Sequence, residues 1–358
     1  MSLYDHELYM EDIRETSNAD LPWEKLQDST VMLSGATGLL GSFLVDVLMY
    51  KNESGLNCTV YAFGRSKAKA YERFSNWDED EHLIFVPCDV NMPLHYDHPE
   101  KVDFVLHLAS NTHPLQYAID PIGTITTNII GLQNMLDFAE THHAVRFAFA
   151  SSNEIYGENR GDTELFNETY CGYINCNTLR AGYPESKRCG EALCEAYKAQ
   201  KGLDIVIPRF TRSYGPTMLM DDSKAISQFI RKGLVGEDIV LKSAGTQYYS
   251  YTYVADAVKG LLYVLLKGRS GEAYNIADEQ SDIRLRDLAS MIADISGTKV
   301  VFEVPDAAEA SGYSKVTKAR LDSRKLQKLG WSAEWDIRSG LMRTIDILSK
   351  GINVDGFD

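Results

Sequence analysis

At 358 residues, with 44% hydrophobic and 24% charged side chains, the chain has an ordinary globular composition, which excludes a disordered tail, a fibrous repeat and a small disulfide scaffold. Its 36 basic and 51 acidic side chains leave a net charge of −15, a surface that repels phosphate backbones and argues against nucleic acid as a partner. No run approaches the roughly 18 apolar residues that span a bilayer, so no membrane partner is expected.

The acidic start MSLYDHELYMEDIRETSNAD lacks the basic and apolar blocks of a signal peptide, and a cytoplasmic chain of about two domains is expected. Cys58, Cys88, Cys171, Cys176, Cys189 and Cys194 form no CxxC pair and read as reduced thiols. Cys171 and Cys176 bracket a loop with no accompanying His/Cys set, so no metal site is expected.

In chain order, residues 1–28 lack an apolar period before Leu21, Trp23 and Leu26, and read as an extension with a short helix packed by Trp23. Thr30–Ser34 is a short apolar run ending at Gly35, after which Leu39, Leu40, Phe43, Leu44, Val47 and Leu48 recur at helical spacing. The pattern repeats. Strands are expected at Thr59–Phe63, Leu83–Val86, Val102–Ala109, Val145–Ser151 and Asp204–Phe210, with helices near 121–142 and 183–200. The acidic run Asp78–Glu81 reads as a solvated loop. Strands apolar on both faces that alternate with helices imply a parallel sheet covered on both sides. Beyond residue 215 helices are expected near 222–235, 254–267, 284–296, 322–329 and 338–349. Strands are expected there at Ile239–Lys242, Ala273–Ala277 and Val300–Val304.

Gly35-Ala-Thr-Gly38-Leu-Leu-Gly41 lies between the first strand and helix of this pattern. Without Cβ atoms the backbone turns tightly and brings its N–H groups against a pyrophosphate at the helix N-terminus. At the end of the second strand, where dinucleotide folds read the adenosine ribose, stand Gly64-Arg65-Ser66-Lys67 and no acid. An acid there selects a free 2′-hydroxyl and an arginine admits a 2′-phosphate. Arg65 and Ser66 therefore lean toward NADP, with NAD held by backbone contacts as the other reading. Asp89 is placed either to accept from an adenine amino group or to occupy an exposed turn.

Tyr183-Pro-Glu-Ser-Lys187 sets a phenol and an ammonium four residues apart on one helix face, and Pro184 suits a first helical turn. A tyrosine beside an ammonium and a nicotinamide-ribose cation has its pKa lowered, and can act as base toward a sugar hydroxyl or acid toward a ketone. The pair follows Ser151-Ser-Asn-Glu-Ile-Tyr-Gly157. There Ser152 can hydrogen-bond the reacting oxygen, while Asn153 and Glu154 extend into the same pocket.

Together these residues resemble the extended short-chain dehydrogenase/reductase family, whose members remodel nucleotide-activated sugars. The resemblance runs from residue 30 to about 345 and includes His107–Ser110, Asp120–Asn128, Pro208-Arg209, Tyr214–Pro216 and Tyr253–Asp256. It implies a doubly wound parallel Rossmann sheet with a smaller, discontinuous C-terminal α+β substrate domain. The extension would cover 1–28, the NAD(P)-binding domain 29–210 with 246–278, and the sugar-nucleotide domain 211–245 with 279–350. The resemblance assigns Ser152, Tyr183, Lys187 and Glu154 to catalysis. It assigns Gly35, Thr37, Gly38, Leu39, Leu40, Gly41, Arg65, Ser66, Asp89, Val90, Leu108, Ala109, Ser110 and Asn128, with Tyr183 and Lys187, to NAD or NADP. Ser110, Asn153, Glu154, Arg212 and Tyr249 fall to a UDP-, dTDP- or CDP-linked sugar. A homodimer through the helices near 121–142 and 183–200 is also implied.

Within that family the chain looks most like UDP-glucuronate decarboxylases and, more distantly, sugar-nucleotide 4,6-dehydratases. Oxidation at C4 acidifies the neighbouring C–H bond or labilises a carboxylate at C5, and Glu154 can help move a proton. Three positions depart from those enzymes. Asn153 stands where a 4,6-dehydratase has its catalytic Asp, Tyr249 where decarboxylases carry Arg, and Arg212 where an Asn contacts substrate. The alternatives are an NADPH-dependent reductase of an activated sugar, favoured by Arg65, and a non-catalytic NAD(P)-binding regulatory protein, opposed by the intact Tyr183/Lys187 pair.

His107, inside an apolar strand, reads as a core or near-cofactor histidine, and His142-His143 ends a helix, where cations suit the dipole. Of Tyr248, Tyr249, Tyr251 and Tyr253, two are expected to face the core and two are free to stack on a base. Arg212, past the C-terminal end of a strand, is expected to contact a substrate phosphate.

Overall fold

The structure, a computed structural model of the chain, describes residues 2–94, 101–112, 114–219, 221–304 and 316–350. Residues 305–315, within the expected second domain, lie outside the described residues. The strands are β1 Thr30–Ser34, β2 Thr59–Gly64, β3 Leu83–Pro87, β4 Phe104–His107, β5 Arg146–Phe149, β6 Ser151–Ser152 and β7 Ile205–Phe210. They continue with β8 Arg212–Tyr214, β9 Ile239–Leu241, β10 Tyr248–Tyr253, β11 Ala273–Ile276, β12 Asp282–Arg284, β13 Val300–Phe302 and β14 Lys318–Ala319. The helices are α1 Glu7–Ser17, α2 Leu39–Asn52, α3 Lys67–Arg73, α4 Pro114–Ile119, α5 Pro121–Thr126, α6 Leu132–Thr141 and α7 Gly182–Lys201. After them come α8 Ala225–Leu234, α9 Val254–Lys267, α10 Leu285–Ser296, α11 Arg324–Gln327 and α12 Ile337–Ser349.

The main sheet runs β11-β7-β5-β4-β1-β2-β3, with β6 beside β7, and every pairing in it is parallel. Alternate side chains go to opposite faces, as the strand period requires. Val31, Leu33, Phe104, Leu106 and Val206 join the core shared with α2 and α9. Met32, Val105, Phe147, Phe149, Ile205 and Ile207 join the core shared with α6 and α7. Both faces are covered, which is why these strands read as unbroken apolar runs. Strand order reverses between β1 and β4, and the C-terminal strand ends open there into a cleft.

A second sheet, β12-β10-β14 with β8 along β10, and the pair β9/β13 form the smaller domain with α8, α10 and α12. The expected boundary at 246 shifts. Strand β10 belongs to this second sheet, whereas α9 and β11 after it return to the main one. The extension is also more than a short helix on Trp23. Tyr9 and Ile13 of α1 are fully buried against α2 and α9, while Trp23 stays half-buried in a separate single turn, under the Lys51 ammonium.

The stretch near 121–142 is one helical run interrupted by a π-turn at Thr127–Gly131. Two short helices, α3 and α4, were not anticipated. Tyr249, Tyr251 and Tyr253 share one face of β10 and all three are buried, so the expected two-and-two division does not hold. The guanidinium groups of Arg284 and Arg320 both approach the Tyr248 ring, at 5.7 and 4.7 Å from its centre.

Candidate active site

The cleft has a volume of about 1020 Å³ and is lined from both domains, at the upper end of the range for small-molecule sites. Its first half is built at the end of β1. Gly35 has φ +74°, and a Cβ there would lie 2.7 Å from the Ala109 nitrogen. A Cβ on Gly41 would lie 2.2 Å from the Gly35 carbonyl oxygen. Only glycine fits either place. Gly38 is the N-cap of α2 and supplies no side-chain cap, so the first N–H groups of the helix are left for an anion. Thr37, Leu39, Leu40, Arg65, Asp89, Val90, Leu108, Ala109 and Ser110 line the same trough. Across it, the Thr217 hydroxyl donates to the Leu39 carbonyl at 2.7 Å and ties the two domains together.

In the second half, α7 presents Tyr183 and Lys187, both buried. Ser152, buried at the end of β6 and accepting from the Glu154 N–H at 3.2 Å, lies close enough to the Tyr183 phenol to favour its ionised form. The Lys187 ammonium donates to the Ala150 carbonyl at 2.7 Å and lies 6.0 Å from the Tyr183 ring centre. Tyr117 of α4 stacks on Tyr183 with ring centres 4.9 Å apart, and the Arg180 guanidinium covers the Tyr117 ring at 4.8 Å. Arg180 also pairs with Glu154 at 2.6 Å. Behind the site, Glu191 accepts from Ser151 and Arg209, which pins the Ser151–Glu154 turn against α7.

The electrostatics follow from burial and these pairs. Burial pulls Lys187 down from 10.5 to about 7. Burial alone would raise Glu154, but the charge and hydrogen bond of Arg180 outweigh it and hold the carboxyl below its ordinary range; Arg212 and Lys224 act in the same direction. Tyr183 is raised above its ordinary value by burial and the Glu154 charge. The lowering expected from the sequence counts the cation of a bound nicotinamide beside the phenol, which opposes this burial effect when the dinucleotide is in place. His107, fully buried and hydrogen-bonded to Ser34 at 2.8 Å, is pushed down to about 3 by burial and by Lys187, and is neutral core.

The family model described as the NAD dependent epimerase/dehydratase family matches residues 31–277. The chain belongs to that family. The "UDP-glucuronic acid decarboxylase 1" of Xenopus tropicalis is 31% identical over 320 residues, covering 89% of this chain and 72% of the relative. The "UDP-glucuronic acid decarboxylase 5" of Arabidopsis thaliana is 32% identical over 315 residues, 87% of this chain and 86% of the relative. Among solved structures, UDP-glucuronic acid 4-epimerase from Bacillus cereus, in complex with UDP-glucuronic acid and NAD, superposes with a TM-score of 0.76 at 23% identity. The match covers 90% of this chain and 100% of that one. The epimerase/dehydratase fold is thereby the fold of this chain.

As an NAD-dependent family member, the chain carries residues that fit the dinucleotide: the glycine trough, the open N-terminus of α2 and the buried Lys187. Of the two cofactor forms expected from the sequence, NAD is the one in the family's name, and Arg65 stands exposed at the cleft rim. Two expected cofactor residues lie outside the cleft wall. Asn128 is buried in the π-turn, accepting from Ser110 at 2.8 Å and donating to Ser186 at 2.9 Å, so it braces α7. Ser66 caps α3 by accepting from the Lys69 N–H. Asn153, Glu154, Arg212 and Tyr249 all line the cleft, and the Tyr249 hydroxyl donates to the Val316 carbonyl, so it offers the cleft its ring. Among the described residues no His/Cys/Asp/Glu group suits a metal, and Cys171 and Cys176 are exposed and unpaired.

Sequence reasoning missed Tyr117, Arg180 and Lys224. Arg180 carried a usable signal, being three residues before Tyr183 and therefore on its side of the helix start. Tyr117 carried none. Asp256, in the matched Tyr253–Asp256 segment, is structural: its carboxylate accepts from the Glu334 and Trp335 N–H groups.

Proposed function

We propose that the chain acts on a nucleotide-linked uronic acid, UDP-glucuronate first, through transient oxidation at the sugar C4 followed by loss of the C5 carboxylate. The observation that carries this reading is the convergence of Tyr183, Ser152 and Lys187 with the Glu154–Arg180 pair in one cleft beside the glycine trough. Its relatives named as UDP-glucuronic acid decarboxylases support the choice of substrate.

When bound along the trough, NAD would supply a hydride acceptor for the sugar C4 and the hydride for its later reduction. Tyr183 takes the proton of the C4 hydroxyl, and the Ser152 hydroxyl beside it donates to that oxygen. Lys187, fixed by the Ala150 carbonyl, supplies positive charge behind the phenol and offers hydrogen bonds to a ribose. Loss of the C5 carboxylate as carbon dioxide leaves an enolate, and Glu154, held beside Arg180, relays a proton from solvent to C5 in its place before C4 is reduced again. The cycle is redox-neutral.

A homodimer is part of the proposal. Ile119, Ile122 and Ile130, with Leu179 before α7, are 66%, 74%, 45% and 71% exposed, an apolar stripe suited to a second copy. A cytoplasmic setting is supported by six unpaired cysteines. Among the described residues no helix is long and apolar enough to cross a membrane.

The test is product analysis after incubation with UDP-glucuronate and a trace of NAD. The expected result is carbon dioxide and a UDP-pentose, with many turnovers per NAD. A requirement for stoichiometric reduced nicotinamide would replace this reading with a one-way reductase.

A further inference from the structure

Arg212 begins β8 immediately beyond the C-terminal end of β7, and its backbone registers with Tyr251 on β10. Its guanidinium carbon lies 3.5 Å from the centre of the Tyr249 ring, close enough for face-to-face stacking. The plate is itself fixed, because Tyr249 is buried and its hydroxyl is engaged with the Val316 carbonyl. One terminal nitrogen of Arg212, Nη1, is buried and makes no hydrogen bond.

The charges around it are unequal. Three cations, Arg180, Arg212 and Lys224, act on Glu154. Arg180 takes Glu154 itself at 2.6 Å and Lys224 takes Asp222 at 2.9 Å. Among the described residues Arg212 has no carboxylate of its own. Arg212 therefore brings to the cleft a positive charge with no carboxylate of its own, in a chain whose net charge is −15. A half-buried guanidinium with an N–H left empty is satisfied when a ligand supplies the acceptor, and the planar fork of arginine matches a carboxylate.

We propose that Arg212, held flat by Tyr249, is the specificity-determining residue of this site and receives a carboxylate carried on the reacting sugar. The inference rests on the nucleotide-sugar reading above and departs from the phosphate contact expected from the sequence. Arg212 shares its surroundings with Glu154, at the end of the cleft where Tyr183 reacts.

Calorimetry of UDP-glucuronate, UDP-glucose and UDP on the NAD-loaded protein tests it, in wild type and Arg212→Gln. The variant should bind UDP-glucuronate about ten- to a hundredfold more weakly, the loss of one charge-assisted contact, and bind the other two within about twofold of wild type. Equal weakening of all three ligands would overturn the assignment and move the guanidinium to the diphosphate. Unchanged binding of UDP-glucuronate would overturn it outright. Arg212→Lys, which keeps the charge and loses the fork, serves if Arg212→Gln does not fold, and should lose much of the preference for UDP-glucuronate over UDP-glucose. An undiminished preference there also defeats the inference. A wild-type protein that binds none of the three would instead sink the nucleotide-sugar reading, and this assignment with it.

Discussion

Glu154 and Arg180 meet at 2.6 Å beside the reacting phenol, and each is about one-fifth exposed. The pair holds this half-buried carboxyl below its ordinary range, where burial alone would raise it.

That relationship has a pH signature. A carboxyl whose folded pKa is depressed gives stability that is complete above its unfolded value and lost as pH falls through the folded one. The acid limb of kcat/KM should accordingly lie below the ordinary glutamate range in wild type. In Arg180→Leu burial acts with less opposition, and the limb should move to higher pH, as a full pH–rate profile would reveal. Glu154→Gln should lower kcat about 10²–10⁴-fold, the usual size of a lost general base.

Lys187 titrates in the opposite sense. Its folded pKa of about 7 lies below its ordinary 10.5, so the folded protein is penalised for holding this cation, and the penalty lifts as pH rises from about 7 toward 10.5. Lys187→Met removes the penalty along with the hydrogen bond to Ala150. Its melting temperature at neutral pH should equal or exceed that of wild type, while turnover collapses. A large loss of stability would contradict the assignment.

Asp46 organises the N-terminal extension. It is fully buried and accepts from Tyr4 at 2.6 Å, from Tyr9, from Arg73 at 2.5 Å and from Trp77 at 3.1 Å. Asp46→Leu leaves the Arg73 charge without its partner, which should cost about 3–5 kcal/mol in urea unfolding. At low denaturant turnover should be little changed, because the cluster lies away from the cleft.

The exposed isoleucines make the dimer testable. Ile122→Asp should yield a monomer by light scattering with the fold intact by circular dichroism, since Ile122 is 74% exposed and contributes little to the core. A variant that stays dimeric would place the interface elsewhere.

Much of this site could be read from the residues. Gly35 and Gly41 announce themselves because a backbone approach that tolerates no Cβ is a local demand, and Tyr183 with Lys187 because four residues on a helix put side chains together. Other parts depend on the tertiary fold. Strand β10 leads straight into α9, yet pairs in the second sheet, and an apolar period does not specify a strand's partners. Helices α3 and α4, seven and six residues long, are too short for a helical period to emerge. Tyr117 reaches Tyr183 because α4 packs against α5 and the single turn Leu179–Ala181 that leads into α7. The lowered tyrosine pKa was expected from an ammonium and a nicotinamide cation together, while burial and Glu154, which act the other way, are products of the tertiary fold.

The most direct test of the central claim, that Tyr183 is the base at the sugar hydroxyl, is turnover of UDP-glucuronate by Tyr183→Phe measured together with binding. The account predicts a fall in kcat of at least about 10³-fold, with substrate affinity within a few-fold of wild type and a melting temperature little altered. A phenylalanine variant that turns over at close to the wild-type rate would contradict it.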